Sequence, residues 1–181
     1  MPHKQLISLS SVLLLTTPVA SAAQDERLMT PDPAKQTPSQ IIAQAENVHP
    51  AGLYILSAKL MGEGRMDDAV RWFYIGQLRY RFHLAASPAS RVSDQPLFSA
   101  LSESVGRPIN EYAFGDVDAA VAHIEAALAW DAAHPNHFTS KKQNPKELAD
   151  VRAGLQRLRD DMLARKEEIR ETRTSNGLPN R

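Results

Sequence analysis

Residues 64–78 read GRMDDAVRWFYIGQL, and residues 115–129 read GDVDAAVAHIEAALA. Each opens on a glycine, carries an aspartate three residues on, and places an Ala-Val pair just behind it. Whether these are copies of one unit or two helices that begin alike decides the fold. In the first stretch Asp67 and Asp68 precede an aromatic run, and Arg79, Arg81 and His83 follow it. Acids first and bases last is the order a helix dipole favours, so a helix is expected from about Met66 to Leu84. Ala69, Phe73, Gly76 and Tyr80 form one stripe, while Trp72, Tyr74, Ile75, Leu78 and Phe82 spread apolar surface around most of the rest. A helix that is apolar nearly all round belongs in the centre, and Gly76 lets a facing helix come close.

The neighbouring segments read as helices too. In HPAGLYILSAKLMGEG (49–64), Pro50 suits a first helical position, Leu53, Leu56 and Leu60 recur at three- and four-residue steps, and Gly62 and Gly64 mark a turn. Upstream, Ser39 is placed to cap a short helix, with Pro38 just outside it. From Ala85 to Asn110 the chain is Ser- and Pro-rich; a short helix is expected after Asp94 (Leu97, Leu101, Val105), with Gly106 capping its end and RPINEYAFGD (107–116) as a turn region. A helix over about 116–133 presents Val117, Ala120, Val121, Ile124, Ala127 and Leu128, and His134 and Pro135 stop it. A last helix opens at Asn144, Pro145 and Glu147 and is expected to run to about Arg173, with Leu148, Val151, Leu155, Leu158, Met162 and Ile169 as a narrow seam interrupted by Arg165. No segment alternates with period two, so the fold class is all-α: an irregular helical bundle with one hairpin at its heart and a long C-terminal helix.

The stretch LYILSAKLMGEGRMDDAVRWFYIGQL, with Leu56 in its first helix, Gly64 at the turn and Ala69, Phe73 and the small Gly76 in its second, resembles a tetratricopeptide or Sel1-like helical repeat over residues 51–80. The match at 115–130 is half a unit. Its displacement of 51 residues exceeds the roughly 34 to 40 of such repeats, and Pro108 falls inside the helix that should precede it. The reading is one repeat-like hairpin and half of another, with two unrelated amphipathic helices as the alternative. The resemblance implies a protein-binding scaffold.

The chain begins MPHKQLISLSSVLLLTTPVASAAQDERL: one lysine, an apolar run from Leu6 to Leu15, then Ala20 and Ala22 flanking Ser21. That is the pattern of a cleavable signal peptide over residues 1–22, and the run is about half of the roughly 20 residues a membrane-spanning helix needs. The expected location is the periplasm, with secretion beyond the cell as the alternative. Residues 23–39 carry three prolines and little that is apolar, so they are expected to be a flexible leader, followed by a single helical domain over 40–173 and a flexible tail over 174–181. Of 181 residues, 23% are charged and 43% hydrophobic, with 21 basic and 21 acidic side chains. Such balance lacks the basic face that polyphosphate binding needs, so no nucleic-acid partner is expected. Cysteine is absent, which removes disulfides, thiolate metal sites and a cysteine nucleophile together.

Few residues suggest chemistry. His134 and His137 in HPNH offer two ligands where a metal site needs three or four, and no H-E-x-x-H or cysteine set completes them, so no metal and no cofactor is expected. Glu103, Glu111 and Asp116 could furnish the carboxylate pair of a small cell-wall hydrolase. Nucleophile-elbow, S-x-x-K and phosphate-loop motifs are missing. The most distinctive segment is RWFYIGQLRYRFH, whose Arg71, Trp72, Tyr74, Arg79, Tyr80 and His83 have the composition of an interface hot spot. The aromatics alternatively form core, with the arginines paired to acids. Together these features imply a non-enzymatic exported protein that binds another protein, in one version as an inhibitor or immunity-type protein. The alternatives are the carboxylate hydrolase and a homo-oligomer zipped through the C-terminal seam.

Overall fold

A computed structural model describes residues 31–181. The signal-peptide pattern of residues 1–22, and residues 23–30 of the leader, lie outside the described residues. Among the described residues the secondary structure is helical throughout, with no strand, so the chain is all-α.

The chain enters through a single 3-10 turn, Pro33–Lys35, and α1, Pro38–Ala43. The cap of α1 is Thr37 rather than Ser39. Thr37 Oγ1 accepts the Gln40 N–H at 3.3 Å and Gln40 Oε1 accepts the Thr37 N–H at 2.9 Å, a reciprocal box that puts Pro38 at the first helical position. The later part of the expected flexible leader is therefore built into the fold, and Pro33 is buried beside Gly52.

Helices α2 (Pro50–Gly62) and α3 (Met66–Ala86) form the central hairpin. Gly64 takes φ 75°, a conformation that costs a side-chain-bearing residue energy but costs glycine little. That single residue lets the Gly64 N–H reach Met61 O at 3.0 Å and the Arg65 N–H reach Leu60 O at 2.9 Å, so the end of α2 is closed by its own backbone. Farther along, a Cβ placed on Gly76 would lie 3.1 Å from Leu53 Cβ and 3.2 Å from the Tyr54 ring, which confirms why a glycine sits where the helices cross. Leu53, Tyr54, Leu56, Leu60, Phe73, Ile75 and Leu78 are fully enclosed around this crossing. As its girdle of apolar residues requires, α3 packs against α2, α5, α6 and α7.

The Ser- and Pro-rich connection is helical almost throughout. After α4 (Arg91–Leu101), residues Ser102–Gly106 widen into a π-helical turn that leads directly into α5, Arg107–Ala113, so the expected turn over 107–116 is a helix for most of its length. Pro108 has no N–H and its ring would crowd the carbonyl four residues back; a wider turn immediately before it carries the chain past both problems. Gly106 does not cap a helix end. Its backbone is right-handed helical, and a Cβ there would stand 3.0 Å from Phe73 Cζ, so it is a contact point between this segment and α3.

Helix α6, Val117–Ala133, is capped by Asp116, whose Oδ1 accepts the Ala119 N–H at 3.0 Å. The last helix is two: α7, Pro145–Ala164, and α8, Lys166–Ser175, with a break at Arg165, the residue that interrupts the seam. Leu155 and Met162 are buried, and Val151, Leu158 and Ile169 pack against the same core, so the seam is spent inside the domain. Residues 176–181, expected to be loose, fold back onto α5. The Arg181 N–H donates to Gly115 O at 2.7 Å, and its guanidinium carbon lies 3.6 Å from the centre of the Tyr112 ring.

Candidate functional site

Six residues of α3 are the sequence-based candidates, and their placement follows from the central position of the helix. Arg71 is on the surface and pairs with Asp68 one turn back. Trp72 is buried edge-on against Trp130, ring centres 5.3 Å apart. Tyr74 and Tyr80 are enclosed, and burial raises the pKa of both phenols. These three aromatics are core, so α3 presents no aromatic-arginine face to solvent.

Arg79, also a candidate, is 1% exposed and serves as a clamp. Its Nη1 donates to Ala45 O and its Nη2 to Pro135 O, both at 2.8 Å, its Nε lies 3.4 Å from Asp131 Oδ1, and its planar head stands 4.6 Å from the Trp130 ring centre. Asp131, equally buried, also holds Arg152 at 3.1 Å and Lys141 at 3.2 Å through Oδ2. Burial lowers the pKa of Arg79 and of Lys141, with Asp131 opposing the shift in both. The arrangement ties α3, α6 and α7 to the segments on either side of them, and it leaves Arg79 no hand for a partner.

His83 is the one candidate that meets an open cleft. Near the C-terminal end of α3, a cleft of about 590 Å³ is lined by Asn47, His83, Ala86, Ser87 and residues 137–140, 143 and 144. The polar side chains among these are His83, His137, Thr139, Ser140, Gln143, Asn47, Ser87 and Asn144, none of them a fixed charge. The segment 134–140 is held at this end of α3 by Thr139 Oγ1, 3.3 Å from His83 Nδ1, and by the His137 N–H on Glu46 O at 2.9 Å, and it is turned on itself by the Thr139 N–H on Asn136 Oδ1 at 3.0 Å.

Behind the cleft lies a polar cluster. His83 Nε2 is 2.7 Å from Asp94 Oδ2, and because a carboxylate only accepts, Nε2 carries a proton, which in the neutral ring leaves Nδ1 as an acceptor for the Thr139 hydroxyl at 3.3 Å. His49 caps α2 with Nδ1, which accepts the Ala51 N–H at 3.0 Å, and places Nε2 3.9 Å from the same Asp94 oxygen. Asp94 Oδ1 is reached by the Ser93 hydroxyl at 3.2 Å, and its backbone carbonyl by the Tyr80 hydroxyl at 3.2 Å. Phe138 closes one side, with ring centres 4.8 Å from His49 and 5.0 Å from His83. The donor atoms of His49, His83 and Asp94 all lie within 4.8 Å of one another.

Sequence reasoning finds His83 and misses the rest of this group. His49 reads only as the residue before Pro50 and Asp94 as a helix start; the signal that could have joined them is two histidines and an acid at the ends of three helices meeting at one pole of the bundle. The HPNH pair does not converge. His134 stacks on Trp130 with ring centres 4.3 Å apart and bonds its carbonyl, whereas His137 lines the cleft. Glu103 pairs with Arg107, Asp116 caps α6, and Glu111 borders a second, more apolar cleft of about 490 Å³ between α5 and α8. The three acids thus serve different places.

An uncharacterized protein of Haemophilus influenzae is 30% identical to this chain over 123 residues, which are 67% of this chain and 47% of that protein. The chain therefore spans about half the length of that relative. No family model matches the chain, and no solved structure matches it.

Proposed function

We propose that this chain is an exported, periplasmic helical protein that binds another protein without catalysing a reaction, and that its contact place is the cleft at the C-terminal end of α3. The observation that carries this reading is the lining of that cleft. The carboxamides of Asn47, Gln143 and Asn144 each offer a donor and an acceptor, as main-chain amides do, and the Ser140 hydroxyl can donate. A surface without fixed charge, edged by the Phe138 ring, suits an inserted loop whose peptide groups need partners once water is displaced. Export is supported by the Leu6–Leu15 run and the Ala20-Ser21-Ala22 pattern. Among the described residues no helix is long and apolar enough to cross a membrane.

Affinity capture from periplasmic extract tests the reading. A stoichiometric partner should be recovered by the wild-type chain and by Arg71→Glu, which lies on a different part of α3, and lost with Asn47→Arg plus Gln143→Arg, two exposed positions where a charge leaves helicity unchanged. Loss with Arg71→Glu and retention with the cleft variant would move the contact surface elsewhere; recovery of no partner from any extract would end the proposal.

A further inference from the structure

We propose that His49, His83 and Asp94 form a binding site for a first-row divalent cation of the zinc class. This stands apart from the partner reading above, because the ion can be titrated directly. The three residues come from three places in the sequence, the turn before α2, the last turn of α3 and the first turn of α4. Their ligand atoms, two imidazole nitrogens and one carboxylate oxygen, all fall within 4.8 Å of one another. Zinc with protein ligands at about 2.0 to 2.2 Å needs donor atoms roughly 3.2 to 3.6 Å apart, so a movement of a few tenths of an ångström to one ångström in the side chains brings them onto one ion. Two neutral imidazoles and a carboxylate are the donor set that suits zinc, cobalt, nickel or copper rather than calcium or magnesium.

The surroundings are those of a metal site in two of the three ligands. The Asp94 carboxylate has its other oxygen bonded by Ser93, which leaves Oδ2 for the ion. With an ion on His83 Nε2, the single ring proton moves to Nδ1 and donates to Thr139 Oγ1, reversing the sense of a contact that already exists at 3.3 Å and fixing the ring from outside. His49 differs. Its Nδ1 accepts from Ala51, so coordination through Nε2 moves the ring proton to Nδ1 and gives up the cap of α2. His49 is therefore the weakest of the three ligands, and the ion is held chiefly by His83 and Asp94. Burial of both histidines and the Phe138 ring beside them confine water to the side of the site that faces the cleft. Because His83 also lines the cleft, an ion here would stand directly behind the contact place.

Isothermal titration of the purified chain with zinc, followed by cobalt(II) absorption, tests the site. One equivalent of zinc should bind and raise the thermal midpoint, and cobalt(II) added to the metal-free chain should give the visible bands of a four-coordinate nitrogen-oxygen centre, its fourth donor a water, which zinc then abolishes. His83→Ala and Asp94→Asn should each abolish stoichiometric binding, Thr139→Val should weaken it by about 10- to 100-fold, and His49→Ala should weaken it less than His83→Ala does. His134→Ala should change nothing. Absence of stoichiometric zinc binding by the wild-type chain overturns the proposal whatever the variants do, as does equal binding by wild type and a His83→Ala variant of unchanged helicity.

Discussion

The two helical hairpins, α2 with α3 and α5 with α6, turn on glycines that do different work. Gly64 is needed for its positive φ, and the backbone of the following residue then takes up the Leu60 carbonyl. Gly115 is not among the glycines with positive φ, and the turn there is tighter: the Gly115 N–H bonds Tyr112 O and the Asp116 N–H bonds Ala113 O, both at 3.1 Å. The equivalent carbonyl, Glu111 O, is left over, and Arg173 Nη1 donates to it at 2.8 Å from 62 residues away. Arg181 adds a second guanidinium on Tyr112 O at 3.1 Å. A cation at a helix C-terminus is favourable in itself, and a Cβ on Gly115 would stand 3.1 Å from Tyr112 O, 3.2 Å from Arg181 Nε and 3.3 Å from Arg173 Nη2, so the glycine serves both the tight turn and the arginines. One hairpin is completed locally; the other is completed by the end of the chain.

Alkaline pH should separate the two most strongly. Burial pushes the Tyr54 phenol up to about 12, against the pull of Ser102 and Arg81, and raises Tyr74 and Tyr80 as well. All three lie in the first hairpin. Their folded pKa exceeds the unfolded value of about 10, so the stability they contribute is whole below that pH and is lost as pH rises toward the folded value, at about 1.4 kcal/mol per pH unit for Tyr54. Denaturant midpoints should therefore fall steeply above pH ~10; a flat profile there would contradict the burial of these phenols.

Arg79→Ala should cost about 3 to 5 kcal/mol, because it leaves Asp131 buried and unclamped from α3 and frees the 45 and 135 carbonyls. Chemical denaturation measures it, and a loss under about 1 kcal/mol would mean that Lys141 and Arg152 alone satisfy Asp131. Gly76→Leu, which overfills the α2–α3 crossing, should cost about 1 to 3 kcal/mol with little effect on how the C-terminal tail is held.

The turn glycines give the sharpest contrast. Gly64→Ala should destabilise the whole fold by about 1 to 2 kcal/mol through backbone strain. Gly115→Ala should cost less globally, because its φ is not positive and Tyr112 O need give only a few tenths of an ångström, but should speed proteolysis and amide exchange over residues 173–181, whose arginine ends it displaces. Equal global losses with an unchanged tail would remove the distinction drawn between the hairpins. The smallest effect is expected at Tyr54→Phe: the hydroxyl is buried and makes no well-formed hydrogen bond. Its removal should change stability by less than about 0.5 kcal/mol, toward greater stability.

The first hairpin is legible in the sequence because each of its signals is local. Leucines at helical spacing, a glycine pair, acids then bases, and a small residue at the crossing all lie within about 30 residues. The span 91–113 is not legible in the same way, because its prolines announce a loop. Pro96 is tolerated since α4 has no buried residue, so water can bond the carbonyl it leaves free, and Pro108 is tolerated because the π turn precedes it. The Arg165 break is foreshadowed by the gap in the seam. Of the polar cluster, only His83 lies in a segment with distinctive composition; Asp94 and Thr139 reach it from 11 and 56 residues away, and nothing in their own neighbourhoods marks them.

Periodicity, capping chemistry and the lack of two-residue alternation determined by themselves that this chain is helical and that α3 lies at its centre. Only the tertiary structure decided that the aromatic rings of α3 are core, that Arg79 is a buried clamp, and that two histidines and an aspartate meet at one pole. The reason is range: helix formation is governed by contacts three and four residues apart, which a sequence displays, whereas ion pairs, borrowed caps and ligand clusters depend on which helix ends the packing brings together.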